Sequence, residues 1–162
     1  MIKINNNFLS PIINKSKLSI RKRTMYNFHS HDVDVLQRML NVMQKGTYFC
    51  PHRHVNPDKC EVFILIKGRV VIVEFDDNGK IKDYIYLNRE KGNYGVEIAL
   101  RSWHSLVCLE NDTVLYELKD GPYDVNNAKE FAPWAPLENT PESIDYFNNL
   151  EKQIFILIDE KT

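Results

Sequence analysis

The residues best placed to do chemistry in this 162-residue chain are a few of its five histidines and one acid. His52 and His54 stand two apart, Glu61 follows a short VNPDK segment, and His104 lies in WHSLVCLE. On a strand, residues i and i+2 point to one face, so His52 and His54 enter a site together. A hairpin-like return through VNPDK brings Glu61 onto the neighbouring strand, and His104 arrives from a third. Three neutral imidazoles and one carboxylate suit Fe(II), Mn(II), Ni(II), Co(II), Cu(II) or Zn(II). A single anionic ligand leaves a 2+ ion with residual positive charge, and open coordination positions let a substrate oxygen or water bind and be polarised. The expected cofactor is therefore one divalent metal ion, with Fe, Zn, Mn and Ni the leading identities. The other pair, His29-x-His31, has no acid nearby to complete it. His31 is expected at the surface or at a cap, and His29 in a pocket wall, where it is a candidate proton carrier.

Other side chains fall around this group. Tyr48 shares the face of His52 by parity and is either a pocket proton donor or packed aromatic core. Cys50 has the same parity, with a buried thiol as the default. Arg53, between two ligands, faces the opposite side and is expected to pair with an acid. Gln37 and Arg38 are read as leaning toward the barrel mouth to bind a carboxylate or phosphate, which guanidinium does well. Trp103 and Trp134 are expected as hydrophobic walls.

These side chains must be positioned by short strands. After Thr47 the segments YFC, EVFILIKG, RVVIVEFDD, KIKDYIYLN, GVEIAL, HSLVCLE and TVLYELKD are rich in β-branched and aromatic residues and bounded by turn signals. Asp76-Asp77-Asn78-Gly79-Lys80 reads as a hairpin turn, and Asn111-Asp112 as another. Strands at this spacing make a sandwich or barrel. Residues 32–44 show Val35, Leu36, Met39, Leu40 and Met43 at helical spacing, with Asp32 and Asp34 at the start and Gly46 as a stop, which predicts a helix. Residues 1–30 read as an arm of short β-like pieces and a basic stretch from Lys15 to Arg23. Thr140-Pro141-Glu142 predicts a helix start, with Ile144, Phe147 and Leu150 as its apolar stripe. Ile154–Ile158 predicts a final strand.

Composition bounds the function classes. The length fits one domain, and the net charge of −1, from 21 basic and 22 acidic residues, argues against nucleic-acid or polybasic membrane binding. Three cysteines without a regular framework, and no signal-peptide pattern, lead us to expect a cytoplasmic protein. The apolar run Ile154–Ile158 is too short to cross a bilayer.

The stretch Gly46-x5-His52-x-His54-x6-Glu61-x6-Gly68 resembles the first cupin motif, with a longer gap before the acid. The second motif is matched at His104, with Asn93 at the first glycine position, Ala99 for proline, Arg101 for the second glycine and Cys108 for asparagine. More closely, Arg23-x3-Asn27-x-His29, QRML at 37–40, PHRH at 51–54, WHSLV at 103–107 and FAPWAP at 131–136 resemble the WbuC family. These are small cupin-fold metalloproteins found among bacterial surface-polysaccharide genes. The resemblance implies an all-β dominated, cupin-type double-stranded β-helix (jelly-roll) barrel, with an N-terminal helix and a short C-terminal helix. The resemblance spans roughly residues 21–138; from the sequence pattern, residues 1–30 are expected as an N-terminal arm, 31–138 as the barrel with its leading helix, and 139–162 as a C-terminal helix and short strand. It also implies His52, His54, Glu61 and His104 as metal ligands. Arg23, Asn27, Gln37, Arg38 and Trp103 become candidate substrate-binding residues, with Tyr48 and His29 as candidate catalytic groups. The implied ligand is a small sugar-derived or carboxylated molecule, the implied setting surface-polysaccharide synthesis, and the expected assembly a homodimer. An isomerase, epimerase or lyase would fit. So would an Fe(II) dioxygenase, or a non-catalytic ligand-binding or sensor protein.

Overall fold

A computed structural model describes residues 1–160. In chain order the elements are α1 (Asn6–Leu18), β1 (Arg23–Asn27), β2 (Leu36–Met43), β3 (His52–Arg53), β4 (Glu61–Lys67), β5 (Val70–Phe75), β6 (Ile81–Leu87), β7 (Gly95–Ile98), β8 (Trp103–Cys108), β9 (Thr113–Asp120), β10 (Glu130–Phe131) and α2 (Pro141–Asp159). The strands form two five-stranded antiparallel sheets, ordered β1-β2-β9-β4-β7 and β10-β3-β8-β5-β6. Alternation along each strand sends one set of side chains between the sheets and the other set outward. Met43, Phe63, Leu65 and Leu115 of the first sheet meet Val70, Ile72, Leu106 and Cys108 of the second in the central core.

Each sheet also has a covered outer face. Leu9, Ile13 and Ser16 recur at helical spacing on α1 and are buried, the first two against Leu40, Val42 and Val114 of the first sheet. Asn5 caps this helix, its side chain accepting from the Phe8 N–H at 3.1 Å. On the second sheet, Val71, Val73, Phe75, Trp103 and Val107 lie under Phe147, Leu150 and Ile154 of α2. Ile154 is fully buried, and its transfer from water is worth about 1.5–3 kcal/mol.

Three local expectations are corrected. Residues 36–43 form strand β2, not a helix. Met39, Asn41 and Met43 point inward while Leu40 and Val42 point out under α1. A strand buried on both faces shows no apolar–polar alternation, so its period reads as helical. The N-terminal helix is instead Asn6–Leu18, inside the stretch read as an arm. Its interior Pro11 and its asparagines argue against a helix locally, and packing on the sheet overrides them. Ile154–Ile158 continues α2 rather than forming a strand. The helix start at Thr140-Pro141 is as expected, but Ile144 faces solvent and Ser143 takes the buried position.

Candidate metal centre

The ligand pair sits at one end of the second sheet. His52 is paired directly with His104 across β3 and β8. Glu61 begins β4 in the first sheet, and its side chain crosses to meet them. The turn between His54 and Glu61 is closed by a Val55–Asp58 bridge. One potential ligand atom from each of His52, His54, Glu61 and His104 lies within 4.8 Å of the others, and all four residues are buried.

Each histidine is oriented by its outer nitrogen. Nδ1 of His52 faces the Cys50 carbonyl at 3.0 Å, Nδ1 of His54 the Ala128 carbonyl at 2.5 Å, and Nδ1 of His104 the Ser102 carbonyl at 3.0 Å. A carbonyl only accepts, so in the neutral ring the proton resides on Nδ1 and the lone pair on Nε2 points into the centre. Burial, then the charge of Lys129, holds the His52 imidazole well below its ordinary pKa, favouring the neutral, ligating form.

Inside the centre, Nε2 of His104 lies 2.9 Å and Nε2 of His54 3.4 Å from Oε2 of Glu61. These three buried atoms have no hydrogen-bond partner among the described residues. Lone pairs facing one another in a dry interior need a cation between them. A proton satisfies one imidazole–carboxylate contact; a divalent ion satisfies all four ligands at once. The residues present therefore fit a metal.

The carboxylate has its own support, unforeseen from the sequence. Lys119 of β9 sits 3.3 Å from Oε1 of Glu61 and 2.8 Å from Oε1 of Glu117, and Asn41 donates to the other Glu117 oxygen. Burial opposes ionisation of Glu61, but Lys119 and then the neighbouring histidines outweigh it and keep the carboxyl well below its usual range. Burial and the Glu61 charge push Glu117 up. On β9 the spacing of Glu117 and Lys119 was available as a signal, because period two places both on the face of Leu115.

The remaining sequence candidates are dispersed. Tyr48 is on the outer face, packed against Tyr146 and Phe147 of α2, with its hydroxyl donating to the Pro136 carbonyl at 2.8 Å. The parity expectation fails through a slip of one residue: Tyr48 pairs with Val107 while His52 pairs with His104. The tyrosine lines a surface groove of about 940 Å³ beside Glu138 and Phe155. Trp103 is also on the outer face. Arg53 stacks over its ring at 4.1 Å and its indole N–H donates to Asp77. Arg53 points outward as expected and is paired with Glu130 at 2.9 Å. Trp134 packs on Phe75 in the same outer layer.

Arg23 does not point to the centre. It donates to both oxygens of Glu138 and to the Tyr48 carbonyl. Arg38 is on the outer face of β2 and donates to the Phe28 carbonyl. Gln37 shares the inward parity of Met39 and Asn41, and its amide N–H groups hold the Asp32 and Asp34 carbonyls. His29 accepts the Arg38 backbone N–H at its Nδ1, and Asn27 is exposed at the sheet edge.

The substituted second motif keeps its turn. Arg101, standing where a glycine is usual, adopts φ +63°, and its guanidinium reaches both oxygens of Asp58 at 2.9 Å. The two glycines of the first motif are also left-handed, Gly46 at φ +77° and Gly68 at φ +84°. A Cβ on Gly68 would lie 2.2 Å from the Thr113 hydroxyl.

Solved structures resemble this architecture. CapF, a capsular polysaccharide assembling protein of Staphylococcus aureus, is 20% identical with TM-score 0.55, over 67% of this chain and 29% of its own. KdgF from Halomonas sp. is 14% identical with TM-score 0.51, over 67% of this chain and 87% of its own. A cupin-2 domain from Rhodospirillum rubrum is 16% identical with TM-score 0.50, over 72% and 66%. These likenesses show the fold, which is that of a cupin. The chain thus spans less than a third of the length of CapF. No curated protein matches the sequence. A family model matches residues 4–87, from α1 through β6 and including His52, His54 and Glu61. The chain belongs to that family, described as a domain of unknown function (DUF6016).

Proposed function

We propose that this chain is a metal-dependent cupin enzyme acting on a small sugar-derived or carboxylated substrate. The observation that carries the reading is the convergence of three buried histidines and a carboxylate, in which Nε2 of His54, Nε2 of His104 and Oε2 of Glu61 have no hydrogen-bond partner among the described residues. A bound divalent ion would supply Lewis-acid polarisation of a substrate oxygen. The protein's own residues do the rest of the preparation. The three Nδ1–carbonyl bonds hold the imidazole planes, Lys119 holds the Glu61 carboxylate, and burial excludes bulk water.

The link to surface polysaccharides rests on the WbuC-like motifs. It gains circumstantial support from CapF, a capsular polysaccharide assembling protein of similar fold. A second reading, a metal-containing binding protein without turnover, is favoured by the placement of the two candidate proton carriers. Tyr48 packs on the outer layer, and His29 spends its Nδ1 on a backbone N–H.

Elemental analysis of protein purified without added metal or affinity tag tests the central claim. The expected result is close to one divalent ion per chain, absent from the His52→Ala/His104→Ala variant. Iron would direct the next step to oxygen-uptake assays, and zinc, nickel or manganese to isomerase and lyase screens with sugar-nucleotide and sugar-acid substrates. No metal in the wild type, even after reconstitution, would refute it.

A further inference from the structure

The segment that crosses the ligand pair holds a charged group with no assigned role. Residues 128–132 run antiparallel to residues 51–54: the Ala128 carbonyl faces His54 Nδ1, Glu130 and Phe131 pair with Arg53 and His52, and the Ala132 N–H donates to the Pro51 carbonyl. In this register Glu130 points outward with Arg53, and Phe131 points inward, its ring 6.4 Å from His52. Alternation then places Lys129 on the inward face, opposite His54.

The electrostatic surroundings agree. The Lys129 amine interacts with the charges of Glu61, Glu117, Lys119 and Arg23, which come from three different strands, and with the His52 ring. The residue is open to solvent at the rim of the centre. Burial, followed by the like charge of Lys119, lowers its pKa. Lys119 is neutralised by Glu117 and Glu61. Lys129 has no hydrogen bond or ion pair among the described residues. A 2+ ion held by one carboxylate would add further uncompensated positive charge.

We infer that the Lys129 amine anchors an anionic group, a carboxylate or phosphate, on the molecule that reaches the metal centre. This rests on the metal-centre reading and specifies its ligand class. The ammonium supplies three donors at the mouth, and the ligand's charge removes the local surplus.

Calorimetric titration with malonate and, separately, inorganic phosphate tests it, using metal-reconstituted wild type, K129M, K129R and the control K152M on the exposed face of α2. At least one anion should saturate the wild type. K129M should weaken it by about tenfold or more, as expected for one lost charge-assisted contact. K129R should stay within about threefold, since guanidinium also donates to anions. K152M should match the wild type. K129M should also hold metal at least as tightly as the wild type, because a repelling charge is gone; a merely structural lysine would not give that result. Binding of malonate alone identifies a carboxylate subsite, and of phosphate alone a phosphate subsite. Unchanged affinity in K129M, or no binding of either anion to the wild type, overturns the inference. If the wild type takes up no metal, the metal-centre reading fails by itself. The same titrations of the metal-free protein then judge Lys129 independently, with loss in K129M supporting the assignment and retention overturning it.

Discussion

Replacing Glu61 with glutamine should move stability in opposite directions with and without metal. In the metal-free protein, Oε2 of Glu61 faces Nε2 of His104 at 2.9 Å and of His54 at 3.4 Å, with no donor between them. A glutamine amide in the same place donates to either ring nitrogen. Satisfying one buried acceptor in this way is worth about 1–3 kcal/mol. Lys119 keeps its 2.8 Å partner Glu117, so no buried cation is stranded. For a chain of this size that gain raises the melting temperature by roughly 2–12 °C in chelator. With metal the sign reverses, because the only anionic ligand is gone. A loss of about 100-fold in affinity removes about 2.7 kcal/mol of metal-linked stability at saturating metal. The assay is a pair of thermal melts, in EDTA and in excess metal, for wild type and Glu61→Gln. A fall in melting temperature in EDTA would refute the reasoning. It would mean that a proton on an imidazole already satisfies the carboxylate and that the unpaired-atom argument for a metal is void.

Four further outcomes are expected. Glu138→Gln should destabilise by about 2–4 kcal/mol in chemical denaturation, because it leaves the largely buried Arg23 guanidinium without its charge partner. Burial favours the neutral form of Glu138, but Arg23 and then Arg21 outweigh it and hold the carboxyl below its ordinary value. Its stabilisation is therefore present above the unfolded value near pH 4.3 and is lost as pH falls through the folded one, so the wild type and Glu138→Gln should converge in acid. Gly68→Ala should cost about 2 kcal/mol or more, since its Cβ would meet Thr113 backbone as well as side chain. Arg101→Gly should be neutral or stabilising by about 1 kcal/mol: left-handed strain in a non-glycine residue costs about 1–2 kcal/mol, more than the exposed pair with Asp58 returns.

The sequence by itself determined the strands of both sheets from β4 to β9, the Asp76–Lys80 hairpin and the four residues, His52, His54, Glu61 and His104, that the fold gathers into one buried cluster. In each case the signal is local or strictly periodic. Period two puts His52 and His54 on one face, and an Asp-Asn-Gly turn fixes a hairpin. The tertiary structure decided whatever depends on what covers a surface. Residues 36–43 are a strand because α1 lies over Leu40 and Val42, and nothing within the segment announces that helix. Ile154–Ile158 is helical because Ile154 continues the row of Phe147 and Leu150 on the second sheet. Tyr48 is on the outer face because the pairing slips by one residue between it and His52, and one residue of slip inverts every side chain before it. The charged groups around the centre became visible only once distant segments were apposed. Lys119 and Glu117 lie 58 and 56 residues from Glu61 in sequence, and the segment of Lys129 is laid against His54. Their roles follow from charges brought together in a low-dielectric interior, which no local pattern encodes.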